Sequence, residues 1–330
     1  MEDESKITLS DDSSSALAML AQFHTFQSEF REKKTVPGVW FPFFQLKTII
    51  PLLKTILVNW VPKKNLPHEG IREKRKFFQL HPSYPEMASE EQHMILGEGE
   101  KVSLTYYRTY SDLHYKEVFR YLLPLELEMP TSWETIGHII HLNLREQHMP
   151  FRYLIGEILL SKVPECKTVL TKTGSIDSVF RTFPMEIIAG EKNTRTIVVQ
   201  HGIRFHLDFA QVYWNSRLDH EHLRLVDSFS PGEVVADMFG GIGPFAIPAA
   251  KKGCSVLVND LNPQSYYWLQ ENVKRNKVSS NVTCYNMDGR EFIISLVKEG
   301  KPFHHVVMNL PANAVEFLDI IKEISNVSYL

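Results

Sequence analysis

Residues 235–247, VADMFGGIGPFAI, constrain the fold of this chain more than any other stretch: an apolar strand runs into an acidic residue and then into a Gly-rich turn that opens a helix. About twenty residues later, VLVNDLNP (256–263) gives a second apolar strand with an acidic end. In a nucleotide-binding α/β fold the first turn lets the backbone approach a ligand, and the carboxylate ending the next strand accepts hydrogen bonds from ribose hydroxyls. The spacing predicts an α/β unit that binds an adenosyl cofactor.

The glycines alone do not choose that cofactor. Gly241-Ile242-Gly243 is followed by Pro244-Phe245-Ala246, so Ala246 stands where the dinucleotide pattern has its third glycine, and Ala is tolerated there. The stretch VVMNLPANAVEFLD (306–319) is more selective. It reads as a further buried strand ending in Asn309-Leu310-Pro311, which sets an amide and a rigid turn at the carboxyl end of a parallel strand, where ligands bind. A hydride-transferring enzyme has no need of that amide; an enzyme that methylates a planar nitrogen base does.

Four further motifs accompany these: FPMEIIAGE (183–191), VYWNSRLDHEH (212–222), NDLNP (259–263) and NMDGREF (286–292). In their order and separations they resemble the eukaryotic and archaeal tRNA guanine-N1 methyltransferases, which modify the guanosine beside the anticodon, tRNA position 37. The resemblance is strong over about 131–319 and weaker over about 31–130. It implies an α/β, class I (Rossmann-like) methyltransferase sheet preceded by smaller α+β RNA-binding domains. It also implies S-adenosyl-L-methionine as cofactor, tRNA as partner, no metal, and action as a monomer.

The resemblance assigns roles residue by residue. Asp237, Gly240 and Gly243 hold the methionine part of the cofactor, Asp260 with Leu261 receives the ribose diol, and Asp288-Gly289 sits under the adenine. His222 approaches the cofactor, Asn309 holds the base edge or the cofactor amine, and Pro311 shapes the base slot. Tyr213 and Arg217 contact the substrate. The family usually carries Ala where Gly241 stands. Guanine N1 must lose a proton as it attacks the sulfonium methyl, which calls for a carboxylate of raised pKa, and Glu221 stands at that position. Negative charge then grows on O6, where Arg181, aligned on IIAGE, is the stabilising cation. Glu221, Arg181 and Asn309 form the expected catalytic set. Taken singly, Glu221 is also an ordinary surface carboxylate, Asp288 a turn residue and Tyr213 a core aromatic.

With 330 residues, 43% of them hydrophobic, the chain can bury more than one core. The expected division is an acidic, Ser-rich mobile tail (1–30), an α+β domain (31–127), an RNA-positioning α+β domain (128–210) and the methyltransferase domain (211–330). A net charge of −3 gives no global basic signature. Contacts to RNA must therefore come from local patches: 31–34, 63–64, 72–76, 251–252 and 274–277. The three cysteines are isolated, which argues for a reducing compartment and against disulfides or zinc. The acidic start is unlike a transit peptide, so cytoplasm and/or nucleus is expected, with the mitochondrial matrix left open. The greasy stretch 40–61 contains Lys47, Lys54 and Pro51 and reads as a buried hairpin or hydrophobic face instead of a membrane span.

Along the chain, 134–144 alternates as one half-buried strand and 151–164 reads as a helix. Strands flank a His201-Gly202 hairpin turn, VYW (212–214) reads as another strand, and a short helix covers 221–229. After Pro231 four strands are legible, VVADMF, SVLVND, NVTCYN and HVVMNL, where a full class I sheet has seven. The sheet is therefore read as incomplete at its carboxyl end, with an apolar edge beside the strand leading to Asn309. Two alternatives stay open: a catalytically inactive tRNA-binding paralogue or truncated isoform, and the related wyosine-pathway transferase that moves an aminocarboxypropyl group.

Overall fold

The computed structural model describes residues 11–42, 45–58, 75–174, 180–311 and 313–325, and the chain divides into two units, 1–122 and 123–330. The first unit contains α1 (Asp11–Glu29), β1 (Arg31–Pro42), α2 (Leu46–Leu53), β2 (Leu57–Val58), β3 (Arg75–Leu80), α3 (Tyr84–Met87), α4 (Glu90–Glu98), β4 (Glu100–Thr109) and α5 (Tyr115–Leu122). Its strands form a sheet of order β2-β3-β1-β4, with every pairing antiparallel.

The greasy stretch splits between the end of β1, α2 and β2, and its apolar residues Val39, Phe41, Leu53 and Ile56 are buried with Leu80 and Leu96. Among the described residues no helix is long and apolar enough to cross a membrane. The expected mobile tail is corrected over residues 11–29, which are helical. Phe23 is buried there and meets Tyr110 edge-on at 6.0 Å, so aromatic burial outweighs the Ser-rich composition. Residues 1–10 lie outside the described residues, as do Lys63, Lys64 and 72–74 of the basic patches. In the patch 31–34, Arg31 donates to the Phe30 carbonyl at 2.7 Å and Lys34 pairs with Glu32 at 2.6 Å.

The second unit begins with β5 (Trp133–Ile136), β6 (Ile139–Leu142), α6 (Arg152–Lys162), β7 (Thr168–Lys172) and β8 (Met185–Gly190). These strands form a mixed sheet in that order. The alternating run 134–144 is thus a hairpin and not one strand. The apolar alternation simply continues through the turn, where Gly137 takes φ +57° and a Cβ would meet Thr196 Oγ1 at 2.1 Å. Next come β9 (Arg195–Gln200) and β10 (Ile203–Asp208), joined by His201-Gly202 at φ +48° and +76°, the signs a tight hairpin turn needs. VYW is a loop instead of the expected strand.

The α/β layer follows: α7 (Asp219–Asp227), β11 (Val234–Asp237), α8 (Ala246–Lys252), β12 (Ser255–Asn259), α9 (Pro263–Arg275), β13 (Val282–Tyr285), α10 (Gly289–Lys298), β14 (His305–Val307) and α11 (Leu318–Ser325). Its four strands are parallel in the order β13-β12-β11-β14, with β14 at an edge. Successive residues of β11 serve opposite faces. Val235 packs with Ala246, Ile247 and Leu269 of α8 and α9, whereas Ala236 packs with Phe292, Ile293 and Ile320 of α10 and α11. The sheet is thereby doubly wound.

The expected boundary at 210 does not separate compact units. Ile136, Ile139 and Leu170 share one core cluster with Phe205, Val235 and Val256, so 128–210 and the α/β layer fall together, and the break lies at 122/123 instead of 127.

Candidate active site

The carboxyl ends of the parallel strands converge on a cavity of about 320 Å³. Backbone proximity dictates the glycines around it. A Cβ on Gly240 would lie 2.1 Å from Val258 Cγ2, and the Gly240 N–H donates to the Asn259 carbonyl at 2.7 Å. Gly241 adopts φ +55° facing open space and donates its N–H to Asp260 Oδ2 at 2.8 Å. The other Asp260 oxygen accepts from the Asn262 N–H at 2.9 Å. Two strand ends are therefore tied together through one carboxylate. Asp288 caps α10 by accepting from the Arg290 N–H at 2.8 Å, so the bland reading of this residue holds while it also faces the cavity.

Of the residues named from sequence, Arg181, Tyr213 and His222 line the cavity. So do Gly240, Asp260, Leu261, Asp288, Gly289, Asn309 and Pro311. Asp237 and Gly243 do not. Asp237 is wholly buried at the end of β11, and Gly243, at φ +100°, packs against Ile247 and Leu269. Arg217 is exposed and lies outside the lining.

Glu221 is the main departure. Its carboxylate is exposed, outside the lining, and held by Arg224 through bonds of 2.6 and 2.7 Å. Those bonds hold its pKa below the ordinary carboxylate value, opposite to the expected raised value. Helical geometry gives the reason: successive residues turn by about 100°, so α7 sends His222 inward and its neighbour outward. His222 is buried, with its ring edge-on to Phe245 at 4.6 Å, and burial lowers its pKa.

Burial also pushes Asp237 up to about 7, with Asp260 nearby adding to the effect and the Phe239 N–H opposing it. Asp260 is pushed up to about 6 by burial, against the opposing N–H groups of Asn262 and Gly241. Asp237 Oδ2, His222 Nδ1, Trp214 Nε1 and Arg181 Nε are buried with no hydrogen-bond partner among the described residues. Such orphan groups are costly in a finished core and are what a polar ligand satisfies.

Several contributors were not read from sequence. Asn259 is wholly buried and gives Nδ2 to the carbonyls of Met238 (3.1 Å) and Met287 (2.9 Å) while its Oδ1 accepts the Met287 N–H (3.0 Å). It thus staples the loops after β11 and β13. Asn272 does the same for the β10 backbone and the glycine turn, bonding the His206 and Ile242 carbonyls at 3.0 and 3.2 Å. Glu134 accepts from Ser216 and lies near His141; burial alone would raise its pKa, but these partners hold it lowered, and they anchor the loop carrying Trp214. Two basic patches prove partly structural: Lys252 caps α7 through the Asp227 carbonyl (2.7 Å), and Arg275 pairs with Glu271 (3.0 Å). Among the described residues no group of three His, Cys, Asp or Glu side chains could hold a metal ion.

Residues 196–328 match the TRM5/TYW2 methyltransferase domain, and residues 115–194 match the TYW2 N-terminal domain. A tRNA (guanine(37)-N(1))-methyltransferase of Drosophila pseudoobscura pseudoobscura is 40% identical over 314 residues, covering 90% of this chain and 70% of that protein. The protein of the same name from Danio rerio is 47% identical over 221 residues, covering 65% of this chain and 46% of its own length. The chain thus spans from about half to 70% of the length of these relatives. Among solved structures, wild-type Trm5b from Pyrococcus abyssi aligns with a TM-score of 0.62 at 28% identity, covering 87% of this chain and 80% of that one. The structure of a complex of aTrm5 and tRNALeu shares the fold, with a TM-score of 0.67 at 24% identity over 87% and 83% of the two chains. The chain therefore belongs to the tRNA (guanine(37)-N(1))-methyltransferase family.

Proposed function

We propose that this protein transfers a methyl group from S-adenosyl-L-methionine to N1 of the guanosine at tRNA position 37. The observation that carries this reading is the cavity itself: cofactor-type carboxylates and glycines share its lining with Arg181, Asn309 and Pro311.

The residues present fit the cofactor. Asp260, already oriented by two backbone N–H groups, keeps lone pairs for a ribose diol, and Asp288 faces the same cavity as an acceptor for an exocyclic amine. The orphan Nδ1 of His222, which lines the cavity, leaves polar capacity for the methionine part, over a glycine turn that admits close backbone approach. When bound, the sulfonium supplies an activated methyl group, so the protein's own work is alignment, proton removal and charge stabilisation.

Arg181 supplies a cation to guanine O6, its Nε having no hydrogen-bond partner among the described residues. Asn309 and Pro311 hold the base edge, and Tyr213 supports the ring. Proton removal is assigned to Glu221, whose carboxylate must first leave Arg224, because the ion pair weakens it as a base. The target base must leave its stack to enter the cavity, a step of low cost in a single-stranded loop.

Mass analysis of nucleosides from a treated tRNA transcript tests the reading. 1-Methylguanosine is the expected product; an aminocarboxypropyl adduct would mark the wyosine-type transferase, and an unmodified transcript a binding protein.

A further inference from the structure

We infer that Asn313 is a positioning residue that sets the Arg181 guanidinium in the base slot, an inference that rests on the methyltransferase reading above. Arg181 lies on neither helix nor strand, so no backbone ladder holds it. Its backbone is in the left-handed region at φ +57°, which a non-glycine residue rarely adopts and keeps only when its surroundings hold it. Its side chain is held from across 132 residues of sequence: Arg181 Nη2 donates to Asn313 Oδ1 at 2.7 Å.

That bond occupies one nitrogen of the guanidinium, and Nε, buried beside the cavity, has no hydrogen-bond partner among the described residues. A guanidinium has several N–H groups in a rigid plane, so fixing one of them aims the rest. Asn313 is itself held. Its Nδ2 donates to Glu316 Oε1 at 3.3 Å, which decides which end of the amide faces the arginine, and its N–H donates to the Leu310 carbonyl at 3.3 Å. The segment is then pinned to α10 by Arg290, which bonds the Glu316 carbonyl at 2.7 Å, chelates Asp319 at 3.0 and 3.1 Å, and lies 4.1 Å over the Phe317 ring. A neutral acceptor suits this task. An amide orients the guanidinium without neutralising the charge needed at O6, whereas a carboxylate there would compete for it.

The test is a double-mutant cycle on single-turnover methyl transfer to the G transcript, run across pH, with Asn313→Ala, Arg181→Ala and the double variant. Asn313→Ala is expected to lower the transfer rate about tenfold, to move the pH–rate profile to higher pH because O6 stabilisation acidifies N1, and to leave cofactor and tRNA affinities within about twofold. In the Arg181→Ala background it is expected to add nothing. Asn313→Gln, which keeps a neutral amide acceptor, should stay faster than Asn313→Ala, a comparison that stands even if the alanine variant is less stable. Multiplicative losses in the double variant, or an Asn313→Ala rate equal to wild type, would overturn the assignment while leaving the function intact. A wild-type chain that binds tRNA and transfers nothing would overturn both.

Discussion

Replacing Asn259 with alanine isolates the staple beneath the site. Its side chain makes three bonds to main-chain groups of Met238 and Met287, and it is wholly buried, so water cannot readily replace them. At about 1 kcal/mol net for each bond, Asn259→Ala should cost about 3 kcal/mol. For a unit of this size that corresponds to a fall in Tm of about 6–12 °C. The loops it ties carry Phe239, Gly240, Asp288 and Gly289 into the cavity, so the affinity for S-adenosylmethionine should fall as well, by about tenfold. Asn286 provides the internal control: its Nδ2 also bonds two main-chain carbonyls, those of Asp260 and Leu261 at 2.7 and 3.1 Å, but in an exposed setting. Asn286→Ala should cost no more than about 1 kcal/mol. Scanning calorimetry and cofactor titration of the two variants check both quantities. Equal, small Tm shifts would refute the reasoning that burial makes the Asn259 bonds matter.

The remaining expectations concern the same strand ends. Cofactor affinity should weaken about tenfold between pH 7 and pH 5, because Asp260, at about 6, must be ionised to accept two hydroxyl donors; a pH-independent Kd by calorimetry would remove it from the ribose site. Folded values above the ordinary carboxylate value mean that the native state binds more protons, so these groups' contribution to stability falls as pH rises from 3.8 to about 7. Asp237→Asn should accordingly raise Tm more at pH 8 than at pH 5, and no pH dependence in that difference would count against the buried carboxyl. Gly240→Ala, with its Cβ 2.1 Å from Val258 Cγ2, should cost about 1–3 kcal/mol and abolish detectable cofactor binding; near-wild-type binding would show that the turn tolerates a shift. Glu221→Gln should lower single-turnover transfer by about 10²-fold or more without changing cofactor affinity, and an unchanged rate would remove it as the base.

The parts of the fold that could be read ahead are those where local pattern and tertiary role coincide. The apolar runs of β11 to β14, their acidic or amide ends and the glycine turn each carry their signal within a few residues, and Gly240, Asp260, Asp288 and Asn309 land together at one cavity, with Asp237 and Gly243 outside its lining. What stayed hidden depends on partners remote in sequence. Asn259 reads as a polar strand end, yet its partners include Met287; Asn313 reads as a loop residue, yet it holds Arg181. The hairpin at Gly137 was masked because strand alternation persists through its turn, and α1 because its burial rests on Phe23 in a Ser-rich segment. Glu221 shows the opposite case: motif spacing locates the helix, but neither the outward direction of this carboxylate nor its bond to Arg224.

The most direct measurement is transfer of labelled methyl from S-adenosylmethionine to unmodified tRNA transcripts that differ only in carrying G or A at position 37, using this 330-residue chain. Label on the G transcript alone is the expected result. No label on either transcript, with cofactor and tRNA both bound, would contradict the assignment of methyl transfer to this chain.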